Sequence, residues 1–532
     1  MKNYSIEEKN IIEEKRKFLL SLRKNKINFK LFEGRNISTI NKNNKKLNIF
    51  DEKRNITIIQ IKSKLNEIVS ETNIQEEKLL NSLNELLDIF SSFIESNKNI
   101  NINEEIIESS VLEKLYRIIM LNGFINNEEI ITNILIIFST EIFIYNHFVN
   151  LKIYKNKYVA DDRYINLISS LLNVNIDNVV YNTYKFIGLF AKDSEDIFNK
   201  LYEYKIFEKI INHHEFNDNI EIVKIKLFCI CNFKLNSIYK SDLKLSLEIQ
   251  VFYIFIFNKY ILNKTVDDEF MTYFVKLIKN LSWCINDDYL KNLLESGIIQ
   301  FLLDYDKRNN SITKKLLKII GNMSSTLNEE IYSGLYKEVI QFLIDNILNN
   351  KHNDSTNSLI LWNINNFLVN YNFCFDIFFQ YDLITIFKNY LLGNKNIDEN
   401  IFNEICLGFR NLIFSINHFK KYYLCKKYNI ISLIINGFRK IDKINYLNKT
   451  GKNILEILFL LFIIKDKEIS EFNKFTFEAS GGNEYIFDTL KTLLLEQDIN
   501  EQNIFKADQN NNTGNELLQY INVIETKILY NK

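Results

Sequence analysis

The chain has 532 residues, 46% of them hydrophobic, which is ample for a folded core and excludes a disordered protein. Lys+Arg and Asp+Glu are equal at 66 each, which excludes the overall positive field of a protein that grips nucleic acid through phosphates; direct nucleic-acid binding is not expected. Cys229, Cys231, Cys284, Cys374, Cys406 and Cys425 form no CxxC pair and no Cys/His quartet at zinc spacing, so they read as reduced core thiols of a cytosolic or nuclear protein, with no metal and no cofactor.

The opening stretch, MKNYSIEEKNIIEEKRK, is charged and lacks the apolar core of a secretory signal. Residues 1–45 are basic in KRKFLLSLRKNKINFK and show no continuous apolar face, which predicts an arm detached from the rest. From about residue 75 to about 500, apolar side chains recur at i, i+3, i+4 and i+7, as in SGIIQFLLDYD and KEVIQFLIDNIL. That period is helical, and no sustained alternation of strand type interrupts it, so the fold class is all-α. Proline is absent, so helix ends must be read from other signals.

The helical segments also resemble one another. YKIFEKIIN, SGIIQFLLD, YKEVIQFLI, YDLITIFKN and YNIISLIIN carry apolar pairs that begin at residues 206, 298, 339, 383 and 430. A helical period in the forties predicts a HEAT or armadillo α-solenoid of about ten repeats, a long surface suited to extended partners. The most apolar run, ILFLLFII (457–464), lies between Glu456 and Lys465 and is far shorter than the roughly 20 residues of a membrane span. Residues 501–532, with KADQNNNTGNELLQ, read as a polar, partly disordered tail.

For catalysis, the sequence offers no phosphate-cradling glycine loop, nucleophile elbow or HExxH, and the expectation is that this is not an enzyme. His213 and His214 are adjacent and find no metal set nearby. Trp283, three residues before Asn286, reads as packing.

Three stretches resemble the importin alpha family. LRKNKINFKLFEGRN (22–36) is similar to that family's importin-beta-binding arm, LLKIIGNMSST (316–326) to its sixth repeat, and FEASGGNEYIFDTLKTLL (477–494) to its closing repeat. The resemblance implies a right-handed armadillo solenoid whose third helices line a concave groove. There, Trp-x-x-x-Asn pairs hold nuclear localisation signals, the asparagine bonding the peptide backbone and the tryptophan stacking on lysine stems.

Carried onto this chain, the resemblance implies a minor site of Trp362 and Asn366, Lys318 and Asn322, and Asn411, with Leu407 in the place of a tryptophan. The major site is degenerate: Lys185 and Leu189 replace its tryptophan and asparagine, leaving Asp193, Phe228 and Asn232. The arm supplies Arg23, Lys24, Lys26, Lys30 and Arg35 for importin beta, while Glu33, Gly34 and Arg35 stand where the family's internal signal mimic reads Lys-Arg-Arg. The implied protein is a monomeric nuclear import adaptor, moving between cytoplasm and nucleus, that links cargo to importin beta without inserting into a membrane. The alternative is an armadillo scaffold that has lost signal recognition.

Overall fold

The computed structural model describes residues 63, 76–96, 127–148, 162–192, 195–213, 219–233, 243–263, 266–282, 287–309, 311–324, 336–348, 352–370, 378–393, 396–415, 424–441, 447–462, 467–492 and 521–522. Among these residues all regular structure is helical. The protein is an all-α array of stacked helices. Contacts divide it into two compact units on either side of the Cys284–Ile285 bond.

In the first unit the order is α1 (Glu76–Ser96), α2 (Glu128–Phe148), α3 (Asp162–Leu171), α4 (Asp177–Ala191), α5 (Glu195–Glu203), α6 (Ile206–Asn212), α7 (Ile220–Cys231), α8 (Leu243–Ile256), a π-helical turn (Phe257–Ile261) and α9 (Asp268–Leu281). The long helices α1, α2, α4, α7 and α9 stack side by side in that order, and the shorter helices pack behind them, α6 on α8. The stacked row is the third-helix layer of an armadillo array.

The second unit repeats the plan with α10 (Asp287–Glu295), α11 (Ile298–Asn309), α12 (Thr313–Met323), α13 (Tyr336–Leu348), α14 (Asp354–Asn370), α15 (Leu383–Gly393), α16 (Glu399–Ser415), α17 (Ile430–Phe438), α18 (Leu447–Phe462), α19 (Lys467–Ala479) and a π-helical turn (Asn483–Asp488). Here the third-helix row is α12, α14, α16 and α18, while α11 packs on α13 and α15 on α17 in the layer behind.

The period seen in the sequence has a backbone cause. Lys205, Gly297, Asp382 and Asn429 all adopt positive φ, and each directly precedes a second helix, at Ile206, Ile298, Leu383 and Ile430. A left-handed residue turns the chain sharply from first helix to second, and a non-glycine side chain there costs roughly 1 kcal/mol. The apolar pair that follows is buried at once: Ile206 and Phe207, Ile298 and Ile299, Leu383 and Ile384, Ile430 and Ile431.

Third helices are started by side-chain caps. Asp267 accepts from Phe270 N at 2.7 Å, and that backbone bond holds its carboxyl below the usual range. From there Phe270, Met271, Phe274, Val275, Leu277, Ile278 and Leu281 form one buried stripe of α9. Asn219 caps α7 by accepting from Glu221 N and Ile222 N, and its Nδ2 also reaches Asp177 Oδ2 of α4 at 2.8 Å. Asn127 does the same for α2, bonding Ile130 N with its oxygen and Glu76 of α1 with its amide. The fold thus spends single amides on both helix initiation and helix registration.

One buried cation belongs to this framework. Lys226 of α7 donates to the carbonyls of Ile211 and His213 at the end of α6, at 3.2 and 2.9 Å, with its ammonium 4.8 Å from the centre of the Phe252 ring. It neutralises a helix C-terminus, and burial pushes its pKa down to about 7. Beside it, the Tyr184 hydroxyl is hydrogen-bonded to His213 Nδ1 at 2.7 Å.

Candidate functional site

In the second unit, glycine and tryptophan meet across adjacent third helices. A Cβ built on Gly321 of α12 would lie 1.8 Å from Trp362 Cζ3, so the six-membered ring of the α14 indole packs directly on the glycine, while the residue stays partly exposed. Lys318, three residues before Gly321 on the same helix, is exposed. Leu407 on α16 is also partly exposed. The structure therefore sets Lys318, Trp362 and Leu407 on three consecutive packed helices.

The asparagines lie deeper. Asn366 is 2% exposed, and its Nδ2 donates to Gly321 O at 3.4 Å. Asn322 is buried as well. Asn411 is 6% exposed, and its Nδ2 finds no hydrogen-bond partner among the described residues. Two neighbours absent from the sequence reading join the same layer: Asn363 donates to Leu317 O of α12 at 3.0 Å, and Asn365 to Glu404 O of α16 at 2.8 Å. The asparagines of LWNINNF thus bridge α14 to the helices on both sides. One step further, Asn403 Nδ2 donates to Thr450 Oγ1, Thr450 to Glu399 Oε1, and Asn453 Nδ2 to Asn403 Oδ1.

The first unit shows the same construction. A Cβ on Gly188 of α4 would lie 2.8 Å from Phe228 Cε1 of α7, and Lys185 stands three residues before that glycine, partly exposed. Leu189 is buried. Phe228 also makes an edge contact with Tyr273 at 5.3 Å between ring centres. Asn232, 8% exposed, donates to Phe228 O at 3.0 Å and accepts from Lys276 Nζ at 2.6 Å. Asp193, the arm residues Arg23, Lys24, Lys26, Lys30 and Arg35, the segment Glu33–Arg35 and Trp283 lie outside the described residues.

Lys276 and Asn280 on α9 are a further basic-x-x-x-Asn pair, one the sequence reading passed over. Asn280 Nδ2 donates to Cys231 O at 2.8 Å, the carbonyl just before Asn232, as Asn366 does to the carbonyl just before Asn322. The spacing of four, identical to Lys318/Asn322, is the signal that marks it in the sequence.

On α12, Lys314 and Lys318 are exposed and no carboxylate is present. On α14 the single carboxylate is Asp354; burial, and after it the charge of Asp354, raise the pKa of Tyr390. Glu399 and Glu404 of α16 are buried, and Arg410 pairs with Glu456 at 2.9 Å. In the first unit Lys224 is enclosed by Glu221, Asp267 and Glu269, and the hydrogen bond to Glu221 contributes most to raising its pKa. Among the described residues no group of three or more His, Cys, Asp or Glu could hold a metal ion, and no helix is long and apolar enough to cross a membrane.

No family model and no curated protein sequence matches the chain. Among solved structures it is similar to a designed armadillo repeat protein in complex with the peptide (KR)4, at 15% identity and TM-score 0.39, over 46% of this chain and 98% of that one. A second designed armadillo repeat protein matches at 16% identity and TM-score 0.37, over 50% of this chain and 99% of that one. An engineered protein of a structural genomics consortium matches at 12% identity and TM-score 0.38, over 48% of this chain and 95% of that one. The architecture itself is read from the stacked third helices.

Proposed function

We propose that the chain is a protein-interaction scaffold, an armadillo array that holds an extended segment of a partner on its third-helix face and acts by binding, not catalysis. The observation that carries this reading is the row Lys318, Trp362 and Leu407, partly or fully exposed on three packed helices above asparagines locked between those helices. A side chain held from below by an inter-helix hydrogen-bond layer gives a rigid stage, and rigidity lowers the entropic cost of binding an extended chain. The test places a photo-crosslinking residue at position 407 in the full chain. A partner captured there should be lost when Trp362→Ala and Lys318→Ala are introduced; capture indifferent to both substitutions rejects the reading.

A second reading is favoured by Trp362 and Asn366 on one helix with Lys318 and Asn322 on its neighbour: a nuclear import adaptor of importin-alpha type, shuttling between cytoplasm and nucleus. It takes basic localisation signals at this site, with Asp193, Phe228 and Asn232 as remnants of a major site, and joins importin beta through residues 1–45. Importin beta should then be recovered with the intact chain and not after deletion of residues 1–45. A lysine-rich signal peptide should also bind and be weakened by Trp362→Ala. Absence of both interactions removes this reading and leaves the scaffold.

A further inference from the structure

His213 stands at the C-terminal end of α6 and is held at two points by two different third helices. Its ring Nδ1 lies 2.7 Å from the Tyr184 hydroxyl of α4, and its carbonyl accepts from the Lys226 ammonium of α7 at 2.9 Å. Helices α4 and α7 are neighbours in the third-helix row, where Phe228 packs on Gly188. One residue of the layer behind therefore ties the same two helices together. Its two holders are buried, Tyr184 at 0% and Lys226 at 1% exposure, while His213 is partly open, so a proton can reach it.

A count of hydrogens fixes the state of the ring. The Tyr184 hydroxyl makes no other hydrogen bond among the described residues, and burial pushes its pKa far up, so it keeps its hydrogen. That hydrogen has Nδ1 as its acceptor, which places the ring's own hydrogen on Nε2. A second proton, taken on Nδ1, would set N–H against O–H and leave one of the two without an acceptor in the core. It would also put a positive charge on the residue whose carbonyl already carries Lys226, a cation held by two carbonyls and the Phe252 ring and, among the described residues, by no carboxylate. The other groups around this end of α6 are Glu248 of α8, bonded to Asn212 Nδ2 at 3.2 Å; Cys229 of α7, a thiol that burial keeps neutral; Glu208 and Lys209 of α6 itself, the lysine bonded to Ser169 of α3; and Phe198 of α5, set edge-on to Phe207. None of these bonds involves the His213 ring.

We propose that His213 is an acid-released latch between α4 and α7: a proton on Nδ1 breaks the bond from Tyr184, repels Lys226 and frees the end of α6. The closed state takes this proton less readily than the opened one, so opening gains population as the pH falls through the ordinary histidine range near about 6.5. The seam that slackens is the one where Phe228 rests on Gly188, so the third-helix face of the first unit becomes looser in acid. The latch stands whether or not that face holds a partner.

The test follows hydrogen exchange of residues 206–213 in the full chain from pH 7.5 to pH 5.5, with rates corrected for the intrinsic effect of pH. Protection in the wild type should fall about tenfold or more. His213→Asn keeps an oxygen that accepts from Tyr184 but takes up no proton, and should hold its protection; His214→Asn should behave as the wild type. No fall in the wild type, or a fall that survives His213→Asn, overturns the proposal. A second measurement needs no altered latch: the chain has five histidines, so ring-15N-histidine spectra are simple enough to read each one. At pH 7.5 His213 should carry its hydrogen on Nε2, and Lys226→Met should move its titration to higher pH by removing the neighbouring cation. A hydrogen on Nδ1, or a titration blind to Lys226→Met, overturns the proposal as well.

Discussion

Gly321→Ala tests the contact on which the site is built. The added Cβ would sit 1.8 Å from Trp362 Cζ3 and 2.2 Å from Cη2, distances no rigid ring can tolerate, so the indole must leave its bed. A tryptophan covers about 200 Å² when fully buried, and here most of it is covered, so ejection re-exposes about 150 Å². At about 25 cal/mol per Å² that is a loss of about 4 kcal/mol. Alanine in a helix is favoured over glycine by about 1 kcal/mol, leaving a net destabilisation of about 3 kcal/mol. Urea unfolding followed by circular dichroism measures it, and a red shift of Trp362 emission in the native state reports the displaced ring. With Trp362→Ala already in place, Gly321→Ala should instead stabilise by up to about 1 kcal/mol. Gly393→Ala, where nothing lies within 4 Å, serves as the control and should be neutral or slightly stabilising. Equal losses from Gly321→Ala with and without the indole would refute the argument.

Lys226→Met should flatten the dependence of stability on pH. The folded chain binds this proton more weakly than the unfolded one, since the native pKa is about 7 and the free value is near 10.4. The charged group is therefore a constant penalty below neutral pH, and wild-type stability gains about 3 kcal/mol from this group between about pH 6.5 and about pH 9.5. Burial pushes the Tyr184 hydroxyl and the Cys229 thiol beside it up and out of this window, so the difference between wild type and variant in urea titrations reports the lysine; parallel curves would dismiss it. Asn411→Leu removes a buried amide nitrogen that has no hydrogen-bond partner among the described residues and should stabilise by about 1 kcal/mol, read as a higher urea midpoint; a lower midpoint would mean the amide is satisfied. Asn403→Ala, which strands Asn453 Nδ2 and releases Thr450, should destabilise by about 2–4 kcal/mol in the same assay.

The solenoid was legible because its punctuation is written in side chains. Each apolar pair at 206, 298, 383 and 430 follows a left-handed residue, so local turn chemistry and burial repeat together. The segment at 339 keeps the period with a different start, since α13 begins at Tyr336. The rows at Lys318, Trp362 and Leu407 were legible for the same reason, helical spacing. What spacing could not give is depth. Asn366 is four residues from Trp362, one turn on and about 40° further round the helix. On an isolated helix that is one face; between α12 and α16 it separates a partly open indole from an amide donating to Gly321 O. The overlooked Lys276/Asn280 pair teaches the converse, since its role shows only when α7 is beside it.

The asparagine layer also limits how this array can grow. Repeat proteins lengthen by copying a unit and inserting it beside the original, which works when neighbouring surfaces are interchangeable. Here Asn365 needs the carboxylate of Glu404 as well as its carbonyl. With Asn366 aligned on Asn411, the residue of α14 that corresponds to Glu404 is Leu359. A duplicated α14 set against itself would offer that amide a leucine side chain, and the Asn403–Thr450–Glu399 chain would be displaced from its mate. The helices of this unit are keyed to particular neighbours, so its length is fixed by chemistry at the seams, and change is confined to the residues that ride on top.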